Sequence, residues 1–187
     1  LAVALRHWGD ASAELLQRLA QDRQALTEAF GGGEPLGPLA SIRSDTGDSH
    51  EQGRAVAILG FAGGQRVVYK PKDLRIAAAA LSLLRWCNDA GLSLPLPVRT
   101  ILLRRDYAWE AFAVERPCGS RAEVERYYRR MGQYARLLQL TDGMDFTTDN
   151  VLAQGETPVL VDLEMFVAPR YRSAIAGEEG HGGLGAL

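Results

Sequence analysis

The spacing of apolar positions changes several times along the chain, and each change marks an element. Leu15, Leu19, Leu26 and Phe30 recur at helical spacing and form one apolar stripe. Residues 1–30 therefore read as helical, with Asp10 placed to cap the stretch Ala11–Phe30. Gly31, Gly32 and Gly33 end the helix, and Pro35 and Pro38 extend the break into a loop. Residues 41–54 are polar. From Ala55 to Phe61 the chain alternates around Val56, Ile58 and Phe61, turns at Gly63 and Gly64, and returns as Arg66–Lys70, RVVYK. This pattern predicts a β-hairpin. Pro71 cannot donate a ladder hydrogen bond, so the second strand should stop there.

A helical period resumes from Asp73 to about Ala90, with Leu74, Ala77, Leu81, Leu84 and Cys87 on its buried face and Gly91 at its end. After Pro95 and Pro97, Val98–Leu103 and Trp109–Val114 read as two strands around a turn at Arg105–Asp106. Ser120 caps a long helix, about Arg121–Leu140. Its apolar positions are Val124, Tyr127, Tyr128, Met131, Tyr134, Leu137 and Leu138. Residues 141–150 form a polar loop, and Val151–Leu152 and Val159–Asp162 are short strands around the turn Gln154–Pro158. Trp86 and Trp109 are expected in the core. The order of elements predicts an α+β fold, a small antiparallel sheet with helices, because strands and crossover helices do not alternate as in a wound parallel sheet. Three parts are expected: an N-terminal helical segment at 1–40, a core at 41–170 and a flexible, glycine-rich tail at 171–187.

Composition narrows the class. With 47% hydrophobic and 24% charged residues, the 187-residue chain is that of a globular domain rather than a disordered one. A formal net charge of −2 argues against a large basic surface for nucleic acid. No apolar run is long enough for a membrane span. Cys87 and Cys118 make neither a disulfide framework nor a CxxC site, which fits a reducing, cytoplasmic setting. With His7, His50 and His181 they give no zinc-ligand spacing. Position 1 is Leu rather than Met, so the chain is expected to be part of a longer protein.

The candidate chemistry lies late in the chain. Asp145 and Asn150 share one polar loop, and Asp162 follows the apolar strand that ends at Val161. A hairpin between them would bring Asn150 and Asp162 together as oxygen ligands for a hard divalent cation. Asp145 is placed to orient or deprotonate a hydroxyl nucleophile. Upstream, Lys70 ends a strand below a glycine-containing turn, a position suited to nucleotide phosphates. A phosphate-holding lysine, a base and two metal ligands are the working parts of a kinase-like phosphoryl transferase. The chain has no GxxxxGK[ST] loop and no GxGxxG fingerprint.

GDSHEQGR at 47–54, VYKPKDL at 68–74 and MDFTTDNVLAQGETPVLVDLEMF at 144–166 resemble the dehydratase domain of LanM-type class II lanthipeptide synthetases. The likeness runs from about Ile42 to Pro169. It implies a two-lobed domain resembling lipid kinases. It also implies an enzyme that phosphorylates Ser and Thr of a ribosomally made precursor peptide with ATP and Mg²⁺, then eliminates phosphate to leave dehydroamino acids. By the same likeness, Lys70 contacts nucleotide phosphates, Asp145 is the phosphorylation-loop aspartate that acts as base or orients the hydroxyl, and Asn150 and Asp162 bind metal. Asp48 and His50 match positions used in elimination, where an imidazole suits proton transfer near neutral pH. Arg54 is a candidate phosphate ligand through its bidentate fork. Glu164 is a further acidic neighbour.

The family loop usually reads Asp–x–His–x–Glu–Asn, whereas here Thr147 replaces the histidine and Asp149 the glutamate. Threonine can exchange hydrogen bonds but cannot carry a proton as imidazole does. The remaining elimination residues and the zinc-dependent cyclase of such proteins are expected beyond Leu187. Two alternatives stay open: a degenerate remnant that binds nucleotide or peptide without turnover, and a kinase outside this family. Arg121, Arg126, Arg129, Arg130 and Arg136 on the long helix are either a site for an acidic leader peptide or a solvated face.

Overall fold

The structure is a computed structural model, and it describes residues 2–44 and 54–168. Helix α1 spans Ala2–Gln21 and α2 spans Arg23–Phe30. Asp10 lies inside α1 rather than at its start, because the Ala, Leu and Arg residues before it also favour helix. The break falls instead at Asp22, whose side chain makes no cap hydrogen bond. It is 3% exposed and points into the protein, where its carboxylate accepts from Arg104 Nε (2.7 Å), the Tyr107 hydroxyl (2.8 Å) and Trp109 Nε1 (2.8 Å).

Strands β1 (Leu39–Arg43), β2 (Ala57–Phe61), β3 (Arg66–Lys70), β4 (Ile101–Leu103) and β5 (Ala108–Ala111) form an antiparallel sheet in the order β1-β2-β3-β5-β4. The polar pattern gives no sign of β1, because this edge strand is exposed along most of its length. It also straddles the expected division at residue 40. One face of the sheet packs on α1 and α2: Ala57, Leu59, Phe61, Val67, Tyr69, Tyr107 and Trp109 bury against Leu15, Leu19, Leu26 and Leu36. The helical segment and the sheet therefore share one core. The alternation expected around Val56, Ile58 and Phe61 is out of phase with this face. Ala57, Leu59 and Phe61 are buried beneath the helices, while Val56 and Ile58 turn to the other side. Both sides of β2 are apolar, so periodicity could not choose between them.

The second core joins α3 (Arg75–Asp89), α4 (Arg121–Thr141) and the hairpin β6–β7 (Val151–Gln154 and Thr157–Leu160) to the sheet. Leu74, Ala77, Ala80, Leu81 and Leu84 pack there with Leu96, Ala108, Tyr134, Leu160, Leu163 and Phe166. Ala108 and Trp109 are neighbours on β5 but belong to opposite cores, as strand alternation requires. Trp109 is buried as expected. Trp86 is 66% exposed, on the solvent side of α3, and is not a core residue.

Ser120 caps α4 by accepting from the Glu123 backbone N–H at 3.2 Å. Arg126 and Arg130 are engaged at the tip of the β6–β7 hairpin, where both pair with the Glu156 carboxylate (2.5 and 3.2 Å). Arg130 also donates to the Glu156 and Pro95 carbonyls. The fold is thus mixed α+β with an antiparallel sheet, as the order of elements predicts.

Candidate functional site

The face of the sheet turned away from α1 and α2 forms one wall of a cleft of about 970 Å³. The opposite wall is the segment from Asp145 to Asn150, together with β6 and the chain just after β7. Val56, Ile58, Val68 and Leu152 supply apolar lining. Lys70, Lys72, Arg99, Glu110, Asp145, Asn150 and Asp162 supply charge and polar oxygen. Lys70, Asp145, Asn150 and Asp162, widely separated in sequence, thus line one cleft.

Lys70 is the last residue of β3 and is 6% exposed. Its Nζ donates to the Val161 carbonyl at 2.9 Å and lies 3.4 Å from Glu110 Oε2. Glu110 stands on β5, opposite Val68 in register, and is 2% exposed. The same Oε2 accepts from Arg99 Nη1 at 3.0 Å. Arg99 Nη2 reaches the Leu160 carbonyl at 2.9 Å and the Val161 carbonyl at 3.4 Å. A buried carboxylate is costly unless paired, and here two cations hold it. Together the three side chains carry one surplus positive charge, set against the carboxylates of Asp145, Asp149 and Asp162 in the same lining. Glu110 Oε1 has no hydrogen-bond partner among the described residues.

The acidic loop is held from both ends. Gly143 N–H donates to the Leu138 carbonyl at the end of α4, and Met144 N–H donates to the Met165 carbonyl. Asp145 has φ of 64°, a left-handed conformation that a residue with a Cβ seldom adopts. Asn150 stabilises it by donating from Nδ2 to the Asp145 carbonyl at 2.7 Å. Asn150 ends a single 3-10 turn, Thr148–Asn150, and its own carbonyl accepts from Val161 N–H at 3.0 Å. Since Val151 pairs with Leu160, the hairpin carries Asn150 and Asp162 at the open ends of its two strands. Lys72 Nζ pairs with Glu164 Oε1 at 2.5 Å and lies 3.9 Å from Asp162 Oδ2.

The donor set suits a small hard cation. Asn150 turns its amide nitrogen toward Asp145, which leaves its amide oxygen out of that bond, and the Asp162 carboxylate lines the same cleft. Among the described residues no cluster of three or more His, Cys, Asp or Glu could hold an ion alone. Magnesium commonly takes one or two protein oxygens and completes its shell with substrate phosphates and water, so the residues present fit it.

Arg54 is not in this cleft. It lies on the helix side of the sheet, in a hollow lined by His7, Trp8 and Tyr69, where Glu14 occupies its guanidinium fork at 2.8 and 3.3 Å. That carboxylate raises the guanidinium pKa further. Arg54 is therefore not brought together with Lys70, Asp145, Asn150 and Asp162. Asp48 and His50 lie outside the described residues. The sequence reading missed Glu110, Arg99 and Lys72. A lone acid inside the apolar run AWEAF was the available signal for Glu110. Arg99 carried none, because its role depends on the backbone it reaches.

A strand lysine facing an acidic loop across a cleft, on a mixed α+β scaffold, defines the class of site. The chain belongs to the family described as "Domain of unknown function (DUF4135)", which it matches over residues 1–182. Over 134 residues it is 28% identical to the lacticin 481/lactococcin biosynthesis protein LcnDR2 of Lactococcus lactis subsp. lactis. That match covers 67% of this chain and 14% of the relative. The two matches bear out the resemblance to the LanM-type synthetases read from the motifs. Among the described residues no helix is long and apolar enough to cross a membrane.

Proposed function

We propose that this chain is the kinase-like dehydratase part of a LanM-type lanthipeptide synthetase, acting in lantibiotic biosynthesis in the cytoplasm. In this reading the five-stranded sheet is the smaller lobe of a lipid-kinase-like domain, and α4 with the β6–β7 hairpin begins the larger one. One observation carries the proposal: Lys70, Asp145, Asn150 and Asp162 face the same cleft.

ATP would supply the phosphoryl group, and Mg²⁺ would supply the charge that neutralises its phosphates. Lys70, buried and aimed by Glu110, holds a phosphate oxygen. Asn150 and Asp162 would hold the metal. Val56, Ile58 and Val68 offer an apolar wall for a base and exclude water around it. Asp145 accepts a hydrogen bond from a Ser or Thr hydroxyl of the precursor peptide and takes its proton as that oxygen bonds the γ-phosphorus and the bond from the γ-phosphorus to the bridging oxygen breaks, releasing ADP. Elimination then removes the α-proton and expels phosphate, leaving a carbon–carbon double bond. That step is assigned to Asp48 and His50 by resemblance.

Thr147 lines the cleft where the family loop usually has histidine, and this favours a second reading, nucleotide binding without turnover. Mass spectrometry of the precursor peptide after incubation with the purified protein, ATP and Mg²⁺ separates the two. Gain of phosphate or loss of water supports the enzyme. An unchanged peptide alongside measurable nucleotide binding supports the second reading.

A further inference from the structure

The Arg99 guanidinium touches both walls of the cleft at once. One nitrogen donates to Glu110 on the sheet, and the other reaches the Leu160 and Val161 carbonyls just before Asp162. Lys70 makes the same crossing beside it, with its ammonium shared between Glu110 Oε2 and the Val161 carbonyl. All three side chains are nearly buried, at 8% for Lys70, 10% for Arg99 and 2% for Glu110. Water therefore competes little, and each bond holds its geometry. The Leu160–Val161 backbone is also fixed from behind by the hairpin, through Val151 and the Asn150 carbonyl. Moving that backbone would move Asp162 and Asn150 together, relative to Lys70.

The geometry points to Arg99 and Glu110 as a positioning pair that sets the distance between the phosphate-holding lysine and the metal-binding residues. Neither is proposed to touch substrate. Glu110 aims Lys70, and its unpartnered Oε1 lets it take a second lysine N–H when Nζ turns from Val161 toward a ligand. Arg99 carries the register of Lys70 across the cleft to Asp162. Its planar fork can serve the carboxylate and two carbonyls together, whereas lysine would serve them from a single point. This inference rests on the proposed nucleotide site and deepens it.

The test measures the affinity of the purified protein for a fluorescent ATP analogue, once with Mg²⁺ and once with EDTA. The ratio of the two affinities isolates the part of binding that depends on the lysine-to-metal spacing. Arg99→Met should lower that ratio about tenfold, since a displacement on the order of 1 Å is costly in a preorganised site. Arg99→Lys, which keeps the charge and reports on folding, should fail to restore it. Glu110→Gln should weaken binding in both conditions, because it acts on Lys70. A role only in stability would lower the melting temperature of Arg99→Met and leave the ratio as in the wild type, and that result overturns the inference. If the wild type binds no nucleotide in either condition, the proposed function fails and the inference falls with it. A wild type that binds with a clear Mg²⁺ dependence that Arg99→Met retains sinks the inference alone.

Discussion

Replacing Asp22 with alanine removes the acceptor shared by three donors at the junction of α1, α2 and the sheet. Arg104 is partly exposed and can turn to water, but Tyr107 and Trp109 are buried and cannot. Each stranded buried donor costs about 1–3 kcal/mol, so Asp22→Ala should lose about 3–4 kcal/mol. For a domain of this size that is a fall in Tm of about 10 °C. Asp22→Asn should recover only part of the loss, because its amide nitrogen would face a donor.

The pH dependence has a definite sign. Burial alone would raise the Asp22 carboxyl pKa, but hydrogen bonds from Trp109, Arg104 and Tyr107 outweigh it and hold the pKa below the ordinary value. The Tyr107 hydroxyl is pushed up to about 12 by burial and by its bond to Asp22, so it remains a donor. A lowered carboxylate pKa gives stability that is present above the unfolded pKa and lost as pH falls through the folded one. The gap in Tm between wild type and Asp22→Ala should therefore hold between about pH 5 and 8 and narrow below about pH 4. Thermal unfolding followed by circular dichroism across that range measures it. A gap under about 3 °C at neutral pH, or one that widens in acid, would refute the reasoning.

Two further outcomes are expected. Ser120→Ala removes the acceptor for the Glu123 N–H and should cost about 1 kcal/mol in chemical denaturation, with an unchanged m-value. Thr147→His places an imidazole on the cleft and should speed peptide phosphorylation, with a new rate dependence near pH 6.5. A flat pH–rate profile in that variant would show that position 147 takes no part in proton transfer.

Helical period made α3 and α4 legible in advance, and turns between short apolar runs did the same for the hairpins β2–β3 and β6–β7, though not for which side of β2 is buried. Strand β1 was hidden because it is a mostly exposed edge strand whose residues answer to the backbone of β2 rather than to a core. Asp10 was the cap read from the sequence, whereas the helix breaks at Asp22. Only the distant Arg104, Tyr107 and Trp109 distinguish them, and no local pattern reports such partners. At the site, the strand end at Lys70 and the hairpin joining Asn150 to Asp162 could be read from spacing. Glu110 and Arg99 could not, because their meaning comes from the β3–β5 register and from the approach of the Leu160–Val161 backbone. Arg54 was read for its chemistry alone, and no local pattern reports that its partner, Glu14, lies on a helix behind the sheet.

The most direct test of the central claim is transfer of radiolabelled γ-phosphate from ATP to a Ser- and Thr-containing precursor peptide of the lantibiotic type. Wild type and Lys70→Met would be compared in Mg²⁺. The account predicts label on the peptide with the wild type, and a rate lower by about a hundredfold or more with Lys70→Met, as when a buried charge-stabilising donor is removed. Equal labelling by a folded Lys70→Met protein would contradict it.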